Sequence, residues 1–346
     1  MVPEAKYVPI LKWKGGERIA IRRLSEDVKD LIRPVLLVTK NTEPDSYCIE
    51  VARNWGINRE FYMDFHPDFK GDQTEFLETI INDEESEQLS IIPVVSMSSS
   101  VDFMSFIENN ISKFKYGAAL RINNLNDKTI QDWFNEIDQI ISDSNSVDVI
   151  LDTGEIGNLP NGTIDMLSDL IKEIIRNLQQ QNRFRNIIVV GASFPKSISV
   201  KQNNISTLNR IEWLLWKKIN AEMPFILFGD YGVDDPQDPQ YDTRPTIIPT
   251  IRYTRNDYWY IIRGKYDPRA PFDYTQFHEL SRMLIQKDNI FCGADFSWGD
   301  KRIFECANTK CTFANCNHGN LTTWVQINTN HHLTYVARQV NQIGAS

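Results

Sequence analysis

Up to residue 235 the chain alternates between short unbroken apolar runs and longer segments whose apolar residues recur at helical spacing. The runs are YVPILKWK (7–14), RPVLLVTK (33–40), EFYMDFH (60–66), LSIIPVVSMS (89–98), YGAALRINN (116–124), SVDVILDTGEI (146–156), RNIIVVGASFP (185–195) and FILFGDYG (225–232). The segments between them carry the 3.6-residue period. In 128–142, for example, Trp133, Phe134, Ile137, Ile140 and Ile141 fall on one face. Runs that do not alternate polar with apolar suit strands covered on both faces. Eight strand-then-helix units predict an α/β fold, a closed (β/α)8 TIM-type barrel over 1–235. An open doubly wound sheet is the competing architecture, and it would leave two edges to protect.

The rest, 236–346, reads as a C-terminal α+β extension packed on the barrel. QDPQYDTRP reads as a loop or lid. A β-hairpin follows over 246–266, with Asn256-Asp257 at its turn. DYTQFHELSRMLIQK is a helix, FCGADFSWGDKRIFECAN reads as strand and turn, and the last segment ends in a helix. Within the first part, STLNRIEWLLWKKINAE (206–222) reads as helix throughout.

In such a barrel the chemistry lies at the carboxyl ends of the strands, and side chains there alternate inward and outward. Counting phase from each apolar run places Lys12 and Lys14 with Ile10, Lys40 with Leu36 and Val38, Asp64 with Tyr62, and Arg121 with Ala119. It places Asp152 with Ile150, Ser193 with Gly191, and Asp230 with Ile226 and Phe228, leaving Tyr231 facing the helical layer or the C-terminal extension. Lys12, Asp64, Arg121, Asp152 and Asp230 are therefore the candidate catalytic residues. Lys14, Gly191, Ser193, Gly229, Tyr231 and His331 are the candidate ligand contacts. Cations could hold a phosphate while carboxylates act as bases or hold a divalent cation, the one cofactor this set suggests. Gly191 and Gly229 would let backbone N–H groups approach an anion. The same residues also suit a mouth in which buried charges merely satisfy one another.

Composition narrows the choices. With 41% hydrophobic and 24% charged residues the chain is ordinary globular material. A net charge of −9 disfavours direct nucleic-acid binding, and no basic stripe appears. No apolar run is long enough to span a membrane and the first residues lack a secretory signature. Five cysteines, an odd number, suggest reduced thiols and a cytoplasmic setting. Cys306, Cys311, Cys316 and His318 offer zinc-type ligands, but at x4, x4, x1 rather than paired x2 spacing. His331 and His332 adjoin in a helix, so about 100° separates them and at most one should face a site. GASFP lacks the G-x-S-x-G pattern of a nucleophile elbow. The aromatic residues of the extension suit packing of the hairpin on the barrel.

The segments YVPILKWKGGERIAIRRLS, VILDTGEI, IIVVGASFP, FGDYG, FSWGDKRI and WVQINTNHHLTYVARQV, in this order, resemble the beta protein family of bacteria, their phages and mobile elements. The resemblance covers nearly the whole chain. It implies the barrel with its extension and, through genomic context, a role in phage defence or in a mobile element. It brings no established catalytic residues. Two features depart from the family's pattern: the cysteine-containing CANTKCTFANCNHG, and Lys40, where an acidic residue is usual. The expectation is a sensor or partner-binding module that meets a phage protein or a partner subunit. The alternative is a barrel enzyme on a phosphorylated or nucleotide-like small molecule, such as a phosphate-ester or nucleotide hydrolase.

Overall fold

The computed structural model describes residues 5–83, 88–137, 140, 146–160, 162–181, 184–194, 202–234, 236, 247–267, 269, 271–309 and 317–343. Eight parallel strands close into a barrel: β1 (Tyr7–Lys12), β2 (Val35–Val38), β3 (Glu60–Phe65), β4 (Ser90–Ser96), β5 (Ala118–Ile122), β6 (Val147–Glu155), β7 (Asn186–Ala192) and β9 (Leu227–Asp230). Closure pairs Tyr7 with Phe228, Val8 with Gly229 and Pro9 with Asp230. The (β/α)8 architecture expected from the alternation is the one found.

Side-chain volume decides which phase faces inward. Val8, Ile10, Val35, Leu37, Tyr62, Ile92, Val94, Ala119, Ile150, Ile188, Val190 and Leu227 pack together inside the barrel. Leu36, Val38 and Phe228 belong instead to the larger layer between strands and helices. The inward phase of β2 is thus opposite to that read from the sequence, and Lys40 is exposed beyond its end. The same holds for β9. At Gly229 an added Cβ would lie 2.5 Å from Val190 Cγ2 and 2.8 Å from the Val8 carbonyl oxygen, so that inward position must be bare. Counting on from Gly229, Tyr231 turns into the barrel and Asp230 turns out.

A second sheet is antiparallel, in the order β10 (Thr250–Arg255), β11 (Tyr258–Arg263), β8 (Asn204–Asn209). The hairpin turns at Asn256-Asp257 as expected, with Asn256 at φ 54°, the left-handed conformation that asparagine tolerates. β8 corrects the helical reading of 206–209; the helix begins only at Ile211 and runs to Asn220. Ser206 and Leu208 pair with Ile261 and Trp259 of β11. From Trp298 on, the segment read as strand and turn is instead the helix Trp298–Asn308, with Ser297 accepting from the Asp300 N–H at its amino end.

The helix Leu321–Ile343 holds barrel and sheet together. It packs on the helix Gly15–Arg22, where a Cβ on Gly16 would come within 2.5 Å of Val325 Cγ1. Residues 327–334 are buried without a break, so this helix is covered on every side. A polar helix can be covered in that way only if its polar groups find partners inside. Asn330 does so twice, donating to the Ala20 carbonyl at 3.0 Å and accepting from the Gly299 N–H at 2.9 Å. Among the described residues no helix is long and apolar enough to cross a membrane.

Candidate functional site

The inward phase of β3, β5 and β6 brings Asp64, Arg121 and Asp152 to the carboxyl end of the barrel. Arg121 donates through NH1 to Asp64 Oδ2 at 2.5 Å, and through Nε and NH2 to Asp152 Oδ2 at 2.9 and 2.6 Å. Its side chain is 15% exposed. Tyr231 completes the set: its hydroxyl donates to Asp152 and accepts from Arg121. Backbone groups hold the carboxylates from the other side, Phe65 N–H on Asp64 at 2.7 Å and Gly154 N–H on Asp152 at 2.9 Å. Gly154 has φ +64°, which helps that N–H turn back on the strand end.

The electrostatics follow from this packing. Burial works against charge on Arg121, but Tyr231, Asp152 and Asp64 outweigh it and hold the guanidinium charged above its ordinary range. Burial raises the Asp64 carboxyl despite Arg121. Tyr231 is raised well above the ordinary phenol value, first by burial and then by Asp152. Arg121 is thus a shared cation between two carboxylates and a phenol.

Beside this cluster, Lys12 at the end of β1 is buried and donates to Asp234 Oδ2 at 3.2 Å. Glu17, on the first helix, is also buried, and burial raises its carboxyl to about 7, with Asp234 adding to the rise and Lys14 and Lys12 opposing it. Lys14 does not extend β1; it is the N-cap of the helix Gly15–Arg22. Glu17 and Asp234 were not legible as candidates from the sequence. Their signals were the G-G-E after β1 and the second acid of GDYGVDD.

Asp230 lies on the opposite side of the barrel wall. It accepts from the Tyr7 hydroxyl at 2.7 Å, from His332 Nε2 at 3.0 Å and from the Gly232 N–H at 3.0 Å. The expectation that Asp230 points inward beside Lys12 is therefore corrected. His332 Nδ1 lies 2.7 Å from the Thr254 hydroxyl. Because Asp230 can only accept, the ring carries its proton on Nε2 and takes the threonine proton on Nδ1. Burial lowers the His332 pKa against the pull of Asp230, while His332 and the other donors overcome burial to lower Asp230. The pair is a carboxylate and a neutral imidazole.

His331 does not reach the mouth either. Its Nε2 lies 2.8 Å from the Thr254 carbonyl and its Nδ1 2.8 Å from Asp300 Oδ2. Both histidines are fully buried, and each is spent on partners inside the fold. Adjacent residues do diverge by about 100°, but a helix enclosed on all sides has no solvent face to offer.

Ser193 and Gly191 share the outward phase of β7. The Ser193 hydroxyl accepts from Trp259 Nε1 at 3.1 Å, and a Cβ on Gly191 would lie 2.6 Å from Thr153 Oγ1. Gly191 and Gly229 stand within the parallel ladder, Gly191 against Asp230 and Gly229 against Val190. At both positions a Cβ would meet neighbouring atoms of the barrel wall.

A divalent cation does not fit this arrangement. Asp64 and Asp152 share Arg121, Asp230 faces away, and among the described residues no group of three or more His, Cys, Asp or Glu side chains could hold a metal ion. Of the proposed zinc ligands, Cys311 and Cys316 lie outside the described residues. Cys306 is buried with its sulfur 3.5 Å from His278 Nδ1, and His318 stacks on Tyr274.

The family model for Beta protein matches residues 7–338. The chain belongs to the Beta protein family. For this member of the family, the match spans both the barrel and the helix that carries His331 and His332. No curated protein matches the chain by sequence.

Proposed function

We propose that this Beta protein family member is a partner-binding or sensor module of a phage-defence or mobile-element system, with the barrel as its scaffold. The observation that carries this reading is the closed set at the mouth. The Arg121 fork is spent on Asp64, Asp152 and Tyr231, and those carboxylates take further backbone donors. A catalytic set needs a nucleophile, acid or base left to act on substrate. Here the central groups satisfy one another, as buried charges in a scaffold must. The acidic net charge supports a protein rather than a nucleic-acid partner.

One observation favours a second reading, an enzyme on a phosphorylated or nucleotide-like small molecule. Glu17 has a carboxyl raised to about 7 beside Lys12, in the range suited to a general acid. Glu17→Gln keeps the shape and removes the proton. Phage plating on cells carrying the system separates the readings. The module reading expects protection by the variant equal to the unaltered chain; the enzyme reading expects it to vanish while the protein stays folded. If the unaltered system gives no protection against any phage tested, the defence role falls.

A further inference from the structure

Outside the closed cluster, a cleft of about 460 Å³ opens at the carboxyl ends of β1 to β3, between the helices Gly15–Arg22 and Pro44–Asn54. We infer that this cleft is a binding site for a small phosphate monoester. The inference stands on different residues from those of the proposed function and does not rest on it.

Charge is the first ground. Lys14, Arg18 and Lys40 line the cleft, with Asp68 on its rim as the single carboxylate among the lining residues. On a protein of net charge −9 this is a local concentration of cations. Lys14 and Arg18 also stand at the amino end of their helix, whose partial positive charge adds to theirs, with the buried carboxyl of Glu17 in the same turn. Arg18 nevertheless bends back over that terminus: a Cβ on Gly15 would lie 3.9 Å from its NH2 atom. Glu50 offers Arg18 only a distant, partly exposed partner at 3.6 Å.

Hydrogen bonding is the second ground. The first helix begins in the cleft wall and its N-cap residue, Lys14, makes no side-chain capping bond, while the second helix lines the cleft with Ser46 and Tyr47 of its first turn. An oxyanion placed there would accept from N–H groups that the helix itself cannot use. Thr39, Thr42 and Ser46 add hydroxyl groups to the same wall.

The third ground is a donor. Trp13 lines the cleft and is 3% exposed, yet its indole Nε1–H has no hydrogen-bond partner among the described residues. A buried unmatched N–H costs about 1–3 kcal/mol, and a ligand oxygen would relieve it. The volume falls within the usual range for small-molecule sites, larger than inorganic phosphate needs. That excess favours an ester with an organic portion, and Asp68 on the rim can accept from its hydroxyl groups.

The test is calorimetric titration of the full chain with adenosine 5′-monophosphate at low salt, with inorganic phosphate as competitor and adenosine as control. The expected result is binding of the monophosphate, competition by phosphate and no binding of adenosine. In the Arg18→Ala/Lys40→Ala double variant, whose altered side chains reach solvent and should leave the fold intact, affinity should drop at least about tenfold, as for loss of two charge-assisted contacts. Trp13→Phe, which keeps the aromatic ring and removes only the N–H, should weaken binding by a smaller factor. The inference is overturned if the unaltered chain binds no monophosphate at millimolar concentration, if phosphate does not compete, or if the double variant binds as tightly as the unaltered chain.

Discussion

His332 Nε2 lies 3.0 Å from Asp230 Oδ2, joining the C-terminal helix to the last strand of the barrel across 102 positions of sequence. Tyr7 of the first barrel strand donates to the other oxygen of the same carboxylate at 2.7 Å. One buried acid therefore ties the seam where the barrel closes to the helix that covers it. Removing it by Asp230→Ala takes the shared acceptor from a buried phenol and a buried imidazole Nε2, leaving these two groups only each other at 3.2 Å. The expected loss is about 3 kcal/mol in chemical denaturation. Asp165→Ala, which removes an ion pair with Lys218 between side chains 67% and 49% exposed, should cost less than about 1 kcal/mol. Equal losses would mean that the seam is not held in this way.

The buried acids make stability depend on pH in a definite sense. Burial raises Glu212 from 4.5 to about 7. A carboxyl whose pKa is higher folded than unfolded binds its proton more tightly in the folded chain. Its contribution is complete below about pH 4.5 and is lost as pH rises through 7. A shift of this size corresponds to about 3 kcal/mol. Glu212→Gln should therefore gain stability relative to the unaltered chain at about pH 8 and little or none at about pH 4.5. Urea midpoints at the two pH values check this, and parallel midpoints for the two proteins would contradict it.

His332 acts in the opposite direction. Its folded pKa lies below the ordinary 6.5, so the unfolded chain takes up the proton first. Stability from this residue is present above pH 6.5 and is lost as pH falls below it. His332→Gln, which can keep an N–H toward Asp230, should flatten the acid limb of a stability profile corrected for Glu17 and Glu212. An unchanged limb would place the acid sensitivity elsewhere.

Gly16 tests the contact between the first helix and the last. A methyl group there would meet Val325 Cγ1 at 2.5 Å. Gly16→Ala should cost about 1–3 kcal/mol by forcing the helices apart, despite the better helix propensity of alanine. Val325→Ala in the same chain should recover much of the loss. A stabilised single variant would show that the two helices do not approach this closely.

The barrel was legible because eight apolar runs separated by helical repeats leave few other ways to bury both faces of each strand. The hairpin was legible for a local reason, since Asn256-Asp257 is turn chemistry that does not depend on distant residues. Phase was less secure. In β9 the reading that put Asp230 inside ignored the role of Gly229, whose missing side chain makes room for Val190 and the Val8 carbonyl. Continuous apolar runs such as VLLV in β2 carry no polar marker of their inner face, so Leu36 and Leu37 cannot be told apart by pattern. Arg121, Asp64 and Asp152 were placed together because each follows a residue whose phase was read correctly. The helix that carries His331 and His332 is enclosed by barrel and sheet, and it buries Asn330 and both histidines because their polar groups find partners there. Pattern alone assigns such residues to solvent.

Arg121 is the center of the mouth, since its bonds to Asp64, Asp152 and Tyr231 are what make it a closed scaffold. The most direct measurement is hydrogen exchange at its guanidinium, read by nitrogen NMR on the folded chain at neutral pH. The expected spectrum shows resolved, slowly exchanging Nε–H and Nη–H signals that disappear in Arg121→Lys and stay unchanged when a phosphate monoester is added. Signals averaged with water, or bonds to Asp64 and Asp152 exchanged for the phosphate, would contradict it and make the mouth an open ligand site.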